Sequence, residues 1–445
     1  MSVHDQLDEF CMLLRHRKVE GSLATGRRTA ELLRIFISTC RHSDAIALVE
    51  DVRSVGNKLQ AAKPIELAIG NITRRVLHMI REESEQEHDE LEEVATGQQP
   101  QKEKEKAGLL SKALRAPLGT RTLSLHNLLD QAPLIEGQQF QLHSLERQQQ
   151  HTDQLQRPAA LQQHQLPGPG PSISFAPEAE PSLEAETSRK HKRGPVWKRK
   201  ALVIEQINEL IDELDEIDGN IALQAGDHIH ANEVILTFGM SNTTLLFLKE
   251  AAKKRDFQVV VAEGAPKYGG HQMARNLAQA GISTTAIADS AIFAMMARVN
   301  KVLVGTHVVL ANGGIMAPVG THVVALAAKH HSCPFVVLTG LHKLSPLFPH
   351  DPSVTFNDFR SPTEIIDFDV VAEAYPSALE DGATADDVYV HIPNPMFDYV
   401  PPELISLFVT DTGGYTPSYI YRLLAEYYTR EDYDLEATSG HTVLK

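Results

Sequence analysis

The chain of 445 residues has a formal net charge of −16 and is 42% hydrophobic, which is ordinary for a globular protein with room for two domains and linkers. No apolar run approaches the roughly 20 residues of a membrane span, and the stretch MSVHDQLDEF lacks the apolar core of a signal peptide. Cys11, Cys40 and Cys333 are far apart and form no CxxC pair, so no disulfide framework, metal site or cofactor is predicted. We therefore expect a protein of the cytoplasm, in the cytosol, with no membrane contact.

Charge is divided unevenly along the chain. Residues 1–81 hold 13 Lys and Arg against 9 Asp and Glu, whereas residues 351–445 hold 4 against 18. Phosphate binding needs many cationic side chains, so the acidic C-terminal part disfavours direct contact with nucleic acid.

Residues 1–83 are predicted to form an N-terminal helical domain of four short helices, because apolar residues recur there at helical spacing. Ser43-Asp44 is typical of a cap before the third helix, and Pro64 of the start of the fourth. Such apolar stripes more often form a core than a binding surface. The predicted faces are formed by Leu7, Phe10, Cys11 and Leu14; Leu32, Leu33, Phe36, Ile37 and Cys40; Leu48, Val52, Val55 and Leu59; and Ile69, Ile72, Val76 and Ile80.

The composition then becomes acidic and rich in Gln, Pro, His and Ser, which predicts a long disordered insertion over residues 84–195. It ends in the basic run RKHKRGPVWKRK. This run is either a solvated segment or a nuclear-localisation or RNA-binding patch.

Residues 196–230 predict a connecting helix, centred on the amphipathic stretch Ala201–Ile217. Apolar strands and helices alternate through residues 231–445, which predicts an α/β fold with a Rossmann-like, doubly wound parallel sheet domain. Residues 300–340 are predicted to form one strand, a glycine turn at 311–314, a helix and a second strand.

The segments that follow the strands hold the candidates for chemistry. A dinucleotide fingerprint does not follow the first strand, and the chain contains no P-loop sequence. Gly313-Gly314 is interpreted as a turn, with phosphate binding as the alternative. Asp289 is interpreted as a helix cap and Glu263 as a weak candidate for a general base, while His307 and His322 lack partners for a metal site.

Residues 233–343, together with DYVPPELISLFVTDTGGYTPSYIYRLLAEYY at 398–428, resemble the family of the alpha, beta and delta subunits of translation initiation factor 2B, above all its beta-type members. That factor is the guanine-nucleotide exchange factor for initiation factor 2. The resemblance covers the N-terminal helices, the connecting helix and residues from about 228 to 433. The long insertion departs from the family pattern.

The same family includes methylthioribose-1-phosphate and ribose-1,5-bisphosphate isomerases. The resemblance implies that their catalytic cysteine corresponds to Gly239, their catalytic aspartate to His307 and their phosphate-binding arginine to Ala265. We therefore expect a non-catalytic regulatory subunit rather than an enzyme, with a degenerate isomerase-like site. The alternatives are an isomerase that uses Asp289 with Glu263, or an RNA-binding protein that uses the basic run.

The resemblance also implies a heterodecamer with delta, alpha, gamma and epsilon subunits, in which epsilon catalyses exchange. Initiation factor 2 is the expected partner, and the chain is expected to help sense phosphorylation of that factor's alpha subunit. The arginines expected to favour the phosphorylated partner are Arg15, Arg27, Arg28, Arg74 and Arg75. The surplus of apolar and aromatic surface at the C-terminus predicts an obligate subunit interface. Its tyrosines are Tyr419, Tyr421, Tyr427 and Tyr428, and the resemblance implies a second interface near the strand beginnings, at Asn232, Val234, Gln258, Thr285 and Ile287.

Overall fold

We describe a computed structural model of the chain, which covers residues 3–96, 197–350, 357–367, 369–370 and 391–435. Most of the predicted disordered insertion therefore lies outside the described residues. The helices are α1 (Val3–Arg15), α2 (Ser22–Thr39), α3 (Ala45–Ala62), α4 (Leu67–Thr96), α5 (Lys200–Leu223), α6 (Ala225–His228), α7 (Asn242–Ala252), α8 (Gly269–Gln279), α9 (Ile292–Met296), α10 (Thr321–His330) and α11 (Ile420–Tyr427). The strands are β1 (Val234–Phe238), β2 (Gln258–Ala262), β3 (Ser283–Ile287), β4 (Lys301–Gly305), β5 (Val308–Val309), β6 (Ile315–Pro318), β7 (Phe335–Leu338), β8 (Phe397–Val400), β9 (Leu407–Thr410) and β10 (Gly413–Tyr415). Within the described ranges, every helix is too short or too polar to span a bilayer.

The four predicted N-terminal helices are confirmed. Leu7, Phe10 and Leu14 are buried on one side of α1, as their spacing predicts. The predicted cap of α3 is also present, since a carboxylate oxygen of Asp44 accepts a hydrogen bond from the backbone N–H of Ala47 at 2.8 Å.

The predicted start of the insertion at residue 84 is wrong, because α4 continues to Thr96. Acidic side chains on this extension bind the chain where it re-enters the described structure. Glu83 accepts hydrogen bonds from Arg199 and Gln206 at 2.9 and 2.7 Å, and Glu87 accepts one from the Trp197 indole at 2.6 Å. The acidic side chains of this helix therefore bind residues 197–206, a contact that the sequence alone does not reveal.

The doubly wound sheet is confirmed, with strand order β10-β9-β7-β4-β1-β2-β3. All adjacent pairs are parallel except β9 and the edge strand β10. The first strand lies between β4 and β2, so the winding direction changes at β1. Proteins with this topology place ligands outside the carboxyl ends of the strands at such a switch point.

The single strand–helix–strand unit predicted for residues 300–340 is incomplete. A hairpin of β5 and β6 lies between β4 and α10 and pairs with β8 in a separate three-stranded antiparallel sheet. The turn at 311–314 connects this hairpin and does not follow a strand of the main sheet. Gly313 has φ +80°, which confirms the interpretation of a glycine turn.

Two apolar cores lie on opposite faces of the main sheet. The first joins the N-terminal helices and α5 to side chains such as Ile235, Val259 and Val261. The second joins Leu236, Phe238 and Val260 to α9, α10 and α11. Because the first core runs without interruption from helices to sheet, α1–α5 and the sheet form one compact unit. Apart from the start of the insertion, the domain boundaries predicted from sequence stay a prediction.

Candidate functional site

Two glycines at the crevice beyond the carboxyl ends of β1 and β4 lie in close contact with side chains of neighbouring segments. A Cβ atom added at Gly305 would lie 2.4 Å from the Ser241 hydroxyl oxygen, and one added at Gly320 would lie 2.5 Å from the Phe238 ring. These glycines therefore allow close packing at the point where related folds bind ligands.

Asp289 holds the turn after β2 in place. Its carboxylate accepts hydrogen bonds from the backbone N–H groups of Gly264 and Ala265 at 2.9 and 2.7 Å. The prediction that Asp289 caps its own helix is wrong, since its side chain makes no cap hydrogen bond there. Glu263, the candidate base, lies 3.4 Å from the exposed ring of His271.

His307 connects the crevice to the N-terminal helices. Its Nε2 lies 3.0 Å from the carbonyl oxygen of Ile65, and its ring stacks on Phe397 with centroids 4.4 Å apart. His322 does not join it, because no group of three potential metal ligands among the described residues contains either histidine.

Lys343 is a partly buried cation of this region, and its ammonium donates a hydrogen bond to the Thr306 carbonyl at 2.9 Å. Burial lowers the pKa of Lys343, while the carboxylates of Asp218 and Glu66 oppose that shift. The adjacent His342 is buried, and burial holds its pKa well below the usual value. The crevice therefore holds one internally bonded cation and a neutral imidazole.

Four of the five residues predicted at the strand interface share one face of the sheet. Val234 pairs with Gln258, which pairs with Ser283, and side chains two positions apart point to the same side. Thr285 and Ile287 therefore face the same way as Val234 and Gln258. Gln258 and Thr285 are exposed on this face, and the other two are half-buried.

The predicted position of one of these residues needs correction. Ile287 lies opposite Ala262 at the carboxyl end of β3, not near the strand beginnings. Asn232 precedes β1, is exposed and has φ +63°. The candidate surface thus runs diagonally across β1, β2 and β3.

The C-terminal tyrosines divide between surface and interior. Tyr421 is 71% exposed, and Tyr419 is half-buried with its ring 5.2 Å from that of Tyr415. Tyr428 is buried, and its hydroxyl donates a hydrogen bond to the Leu344 carbonyl at 2.7 Å. Tyr427 lies beneath the Arg75 guanidinium at 5.1 Å, and burial raises the pKa of Tyr427 to about 12. The expectation that all four tyrosines supply a partner surface is therefore wrong for Tyr428, whereas Tyr427 is half-buried like Tyr419.

The five predicted arginines do not form one patch. Arg15, Arg27 and Arg28 are exposed, whereas Arg75 is half-buried and pairs with Glu213. Arg74 is buried and donates hydrogen bonds to the carbonyls of Asp432 and Tyr433 at 3.1 and 3.2 Å, and burial lowers its pKa to about 10. Because Arg74 holds the C-terminal segment, it is unavailable to a partner.

Sequence reasoning missed a buried charge cluster around Asp432. The carboxylate is fully buried, lies 2.5 Å from the Arg53 guanidinium and accepts a hydrogen bond from the Arg81 Nε at 2.8 Å. No local pattern marks Asp432, because its partners lie more than 300 residues earlier in the chain. This cluster fixes the C-terminal segment on α3 and α4.

The fold defines a class, that of Rossmann-like proteins in which N-terminal helices cover one side of a doubly wound sheet. The chain belongs to the Initiation factor 2 subunit family, whose model matches residues 18–417. The translation initiation factor eIF2B subunit beta of Dictyostelium discoideum is 40% identical over 425 residues, which cover 96% of this chain and 95% of that protein. The subunit of the same name in Schizosaccharomyces pombe is 38% identical and is aligned over 94% of both chains.

The fold also matches a solved structure. The crystal structure of the tetrameric eIF2B-beta2-delta2 complex from C. thermophilum aligns with a TM-score of 0.57 at 22% identity, covering 96% of each chain. At this identity the match concerns the fold alone.

Proposed function

We propose that the chain is a non-catalytic, beta-type subunit of the guanine-nucleotide exchange factor for initiation factor 2, and that it pairs with a delta-type paralogue through the face of the sheet described above. The open face of β3 carries this proposal. Helix α8 contacts β3 from one side, where Thr284 is half-buried and Ala286 is exposed, whereas Ser283 and Thr285 on the other side are both exposed. A strand of a doubly wound sheet is normally covered on both faces, so an open one implies a partner.

Exposed apolar side chains on the same side of the sheet support this pairing. Phe293 on α9 is 53% exposed, and Val323 and Leu326 on α10 are 58% and 52% exposed. Both helices pack on the core that includes Leu236 and Phe238. Grouped apolar exposure of this kind is typical of surfaces that a partner covers. The relatives named as beta subunits, and the solved complex of beta with delta subunits, support the choice of partner.

The side chains at the crevice support a non-catalytic role. Gly239 and Ala265 offer no functional group, and His307 is engaged with Ile65 and Phe397. Asp289 is occupied by two backbone N–H groups, so the alternative acid–base pair with Glu263 lacks a free member. We therefore expect no isomerisation of methylthioribose-1-phosphate or ribose-1,5-bisphosphate, and turnover by the purified chain above a heat-killed control would favour the enzyme alternative.

The basic run offers less support for RNA binding. Arg199 pairs with Glu83 and Glu90, and Lys200 donates hydrogen bonds to the carbonyls of Ser38 and Cys40. Trp197 is buried and Lys198 is exposed, while residues 189–196 of that run lie outside the described residues.

The test compares an exchange factor reconstituted from all its subunits with one reconstituted without this chain. Exchange factor is assembled from its subunits with and without this chain, and GDP release from initiation factor 2 is measured with the alpha subunit of that factor phosphorylated or unmodified. We expect phosphorylation to slow release when the chain is present and to lose this effect when the chain is omitted. Equal inhibition without the chain would contradict a role in sensing phosphorylation.

A further inference from the structure

Cys40, His42 and Asp51 form a group of potential metal ligands where the end of α2 meets α3. A sulfur, a ring nitrogen and a carboxylate oxygen from these residues all lie within 4.8 Å of one another. No other group of three metal-binding side chains occurs among the described residues. The prediction of no metal site rested on the absence of a CxxC pair, and it overlooked the Cys-x-His spacing with an aspartate one helix further on.

Contacts with the start of α5 fix the backbone of both loop ligands. Cys40 ends α2, with its backbone N–H donating to the Phe36 carbonyl at 3.0 Å, and its own carbonyl accepts from Lys200. The carbonyl of His42 accepts the backbone N–H of Trp197 at 2.9 Å. Asp51 lies within α3, so the group is held by three helices and does not depend on a free loop.

The ring of His42 faces the carboxylate of Asp51. His42 Nε2 lies 2.9 Å from a carboxylate oxygen of Asp51, yet this buried nitrogen makes no well-aligned hydrogen bond. Buried polar atoms are almost always paired, and the Asp51 carboxylate is the partner beside this nitrogen, so a cation between the two would be bound by both. Thiolate, imidazole and carboxylate are the ligands that zinc takes, with bonds of about 2.0–2.3 Å. Tetrahedral bonds of that length place ligand atoms roughly 3.3–3.7 Å apart, which side-chain shifts of about 1 Å would give here.

We propose that Cys40, His42 and Asp51 bind one zinc-type divalent cation, with water in the fourth position. The cation joins the end of α2 to α3, next to the point where Trp197 and Lys200 join them to α5. Because such a site exists only in the folded chain, the cation stabilises the packing of these helices. This site is separate from the sheet face proposed for the partner.

The experiment titrates Co²⁺ into the purified full-length chain after removal of metal with a chelator. Thiolate–cobalt bonds give a charge-transfer band in the near ultraviolet, and tetrahedral cobalt gives strong visible bands. The chain contains 3 cysteines in all, so a thiolate band has few possible sources, and histidines elsewhere do not produce it. We expect one equivalent of cobalt to saturate both bands and one equivalent of Zn²⁺ to abolish them.

Four variants assign the ligands. Cys40→Ser should lose the thiolate band, and His42→Ala and Asp51→Asn should each weaken cobalt binding at least tenfold. Cys333→Ser removes a buried thiol elsewhere and should bind as the unmodified chain does. Circular dichroism checks that each variant is folded, and Zn²⁺ should raise the unfolding temperature of the unmodified chain but not that of Cys40→Ser. A missing thiolate band in the unmodified chain, or an unchanged band in Cys40→Ser, would overturn the proposal.

Discussion

Asp432 is the residue on which the attachment of the C-terminal segment most depends. Asp432→Asn keeps the shape of the side chain but leaves the Arg53 guanidinium buried without a counter-charge. Removing one partner of a buried ion pair typically costs about 3–5 kcal/mol, so we expect the free energy of unfolding to fall by that amount in urea titrations.

Glu431 provides the matched control. Its side chain is 70% exposed and pairs with Arg81 at 2.8 Å. Exposed pairs contribute about 0–1 kcal/mol, so Glu431→Gln should change the stability little. An equal loss of stability in both variants would show that burial does not make the ion pairs of Asp432 more stabilising than an exposed pair.

His228 should make the stability depend on pH. Its ring is buried with both nitrogens unpaired, and burial, with a smaller effect of Lys301, lowers its pKa to about 4. The folded chain therefore holds the ring neutral, while the unfolded chain protonates it below about pH 6.5. The resulting stabilisation is complete above pH 6.5 and is lost as the pH falls towards 4, by on the order of 3 kcal/mol.

The measurement compares unfolding free energies of the unmodified chain and His228→Leu between pH 7 and pH 4. The free energy of unfolding of His228→Leu should fall less between pH 7 and pH 4 than that of the unmodified chain. A change in packing caused by the substitution shifts the stability equally at every pH and does not affect this comparison. The exposed His350 is the control, and His350→Leu should follow the unmodified chain. Parallel curves for all three proteins would contradict the depressed pKa.

Helix α4 and the re-entry at Trp197 make the insertion between them replaceable. The hydrogen bond from Trp197 to Glu87 holds the end of the insertion against α4. Glu87 lies nine residues before Thr96, where the insertion begins, so the two ends of the insertion are about 14 Å apart along the helix. A flexible linker of about 12 Gly and Ser residues spans that distance. Replacing residues 97–196 by such a linker should change the stability by about 1 kcal/mol or less, because loop closure depends weakly on length.

Limited proteolysis of the unmodified chain supplies the second measurement. The composition of the insertion predicts that cleavage begins there, before any site in α1–α5 or the sheet. Resistance of this segment to protease, or a linker variant that fails to fold, would contradict the prediction of disorder.

Regular elements could be predicted from the sequence where a local period sets them. The spacing of Leu7, Phe10 and Leu14 fixes the buried side of α1. The short apolar runs 234–236 in β1 and 302–304 in β4 mark strands covered on both faces. The hairpin of β5 and β6 was missed because its third strand, β8, lies about 80 residues further on.

Side-chain roles were predicted least well where distant segments meet. Arg74 reads as a surface charge on its helix, and only the arrival of Asp432 and Tyr433 shows that it is internal. The alternation of side chains along a strand predicted the shared face of Thr285 and Ile287. Whether these two residues lie near the beginning or the end of the sheet depends on the register of β3 with β2, which the sequence does not reveal.

The assembled complex should recognise phosphorylated initiation factor 2 with the help of two exposed arginines on α2, Arg27 and Arg28. Arg27 and Arg28 are exposed and make only surface ion pairs with Glu31 and Asp215, which a phosphate can replace at little cost. A phosphoserine adds nearly two negative charges, so reversing both arginines to Glu should reduce the preference for the phosphorylated partner, most strongly at low salt.

A charge-matched double variant on the sheet region provides the control. Lys254 and Arg275 are also exposed, and reversing both should leave the preference intact. The measurement is the ratio of affinities for phosphorylated and unmodified initiation factor 2 across a salt series. An unchanged affinity ratio in the Arg27 and Arg28 variant at low salt would contradict a role of these two arginines in recognising the phosphorylated partner.

Pairing through the open face of the sheet is tested most directly by the mass of the native assembly. The chain is co-expressed with the delta-type paralogue from the same genome and its complexes are analysed by native mass spectrometry. Thr285→Arg places a charge on the open face, and Gln279→Arg places the same charge on α8, on the opposite side of the sheet. We predict assemblies containing both subunits for the unmodified chain and Gln279→Arg, and separate subunits for Thr285→Arg. A stable, monodisperse monomer of the unmodified chain, or intact assemblies with Thr285→Arg, would contradict the proposed interface.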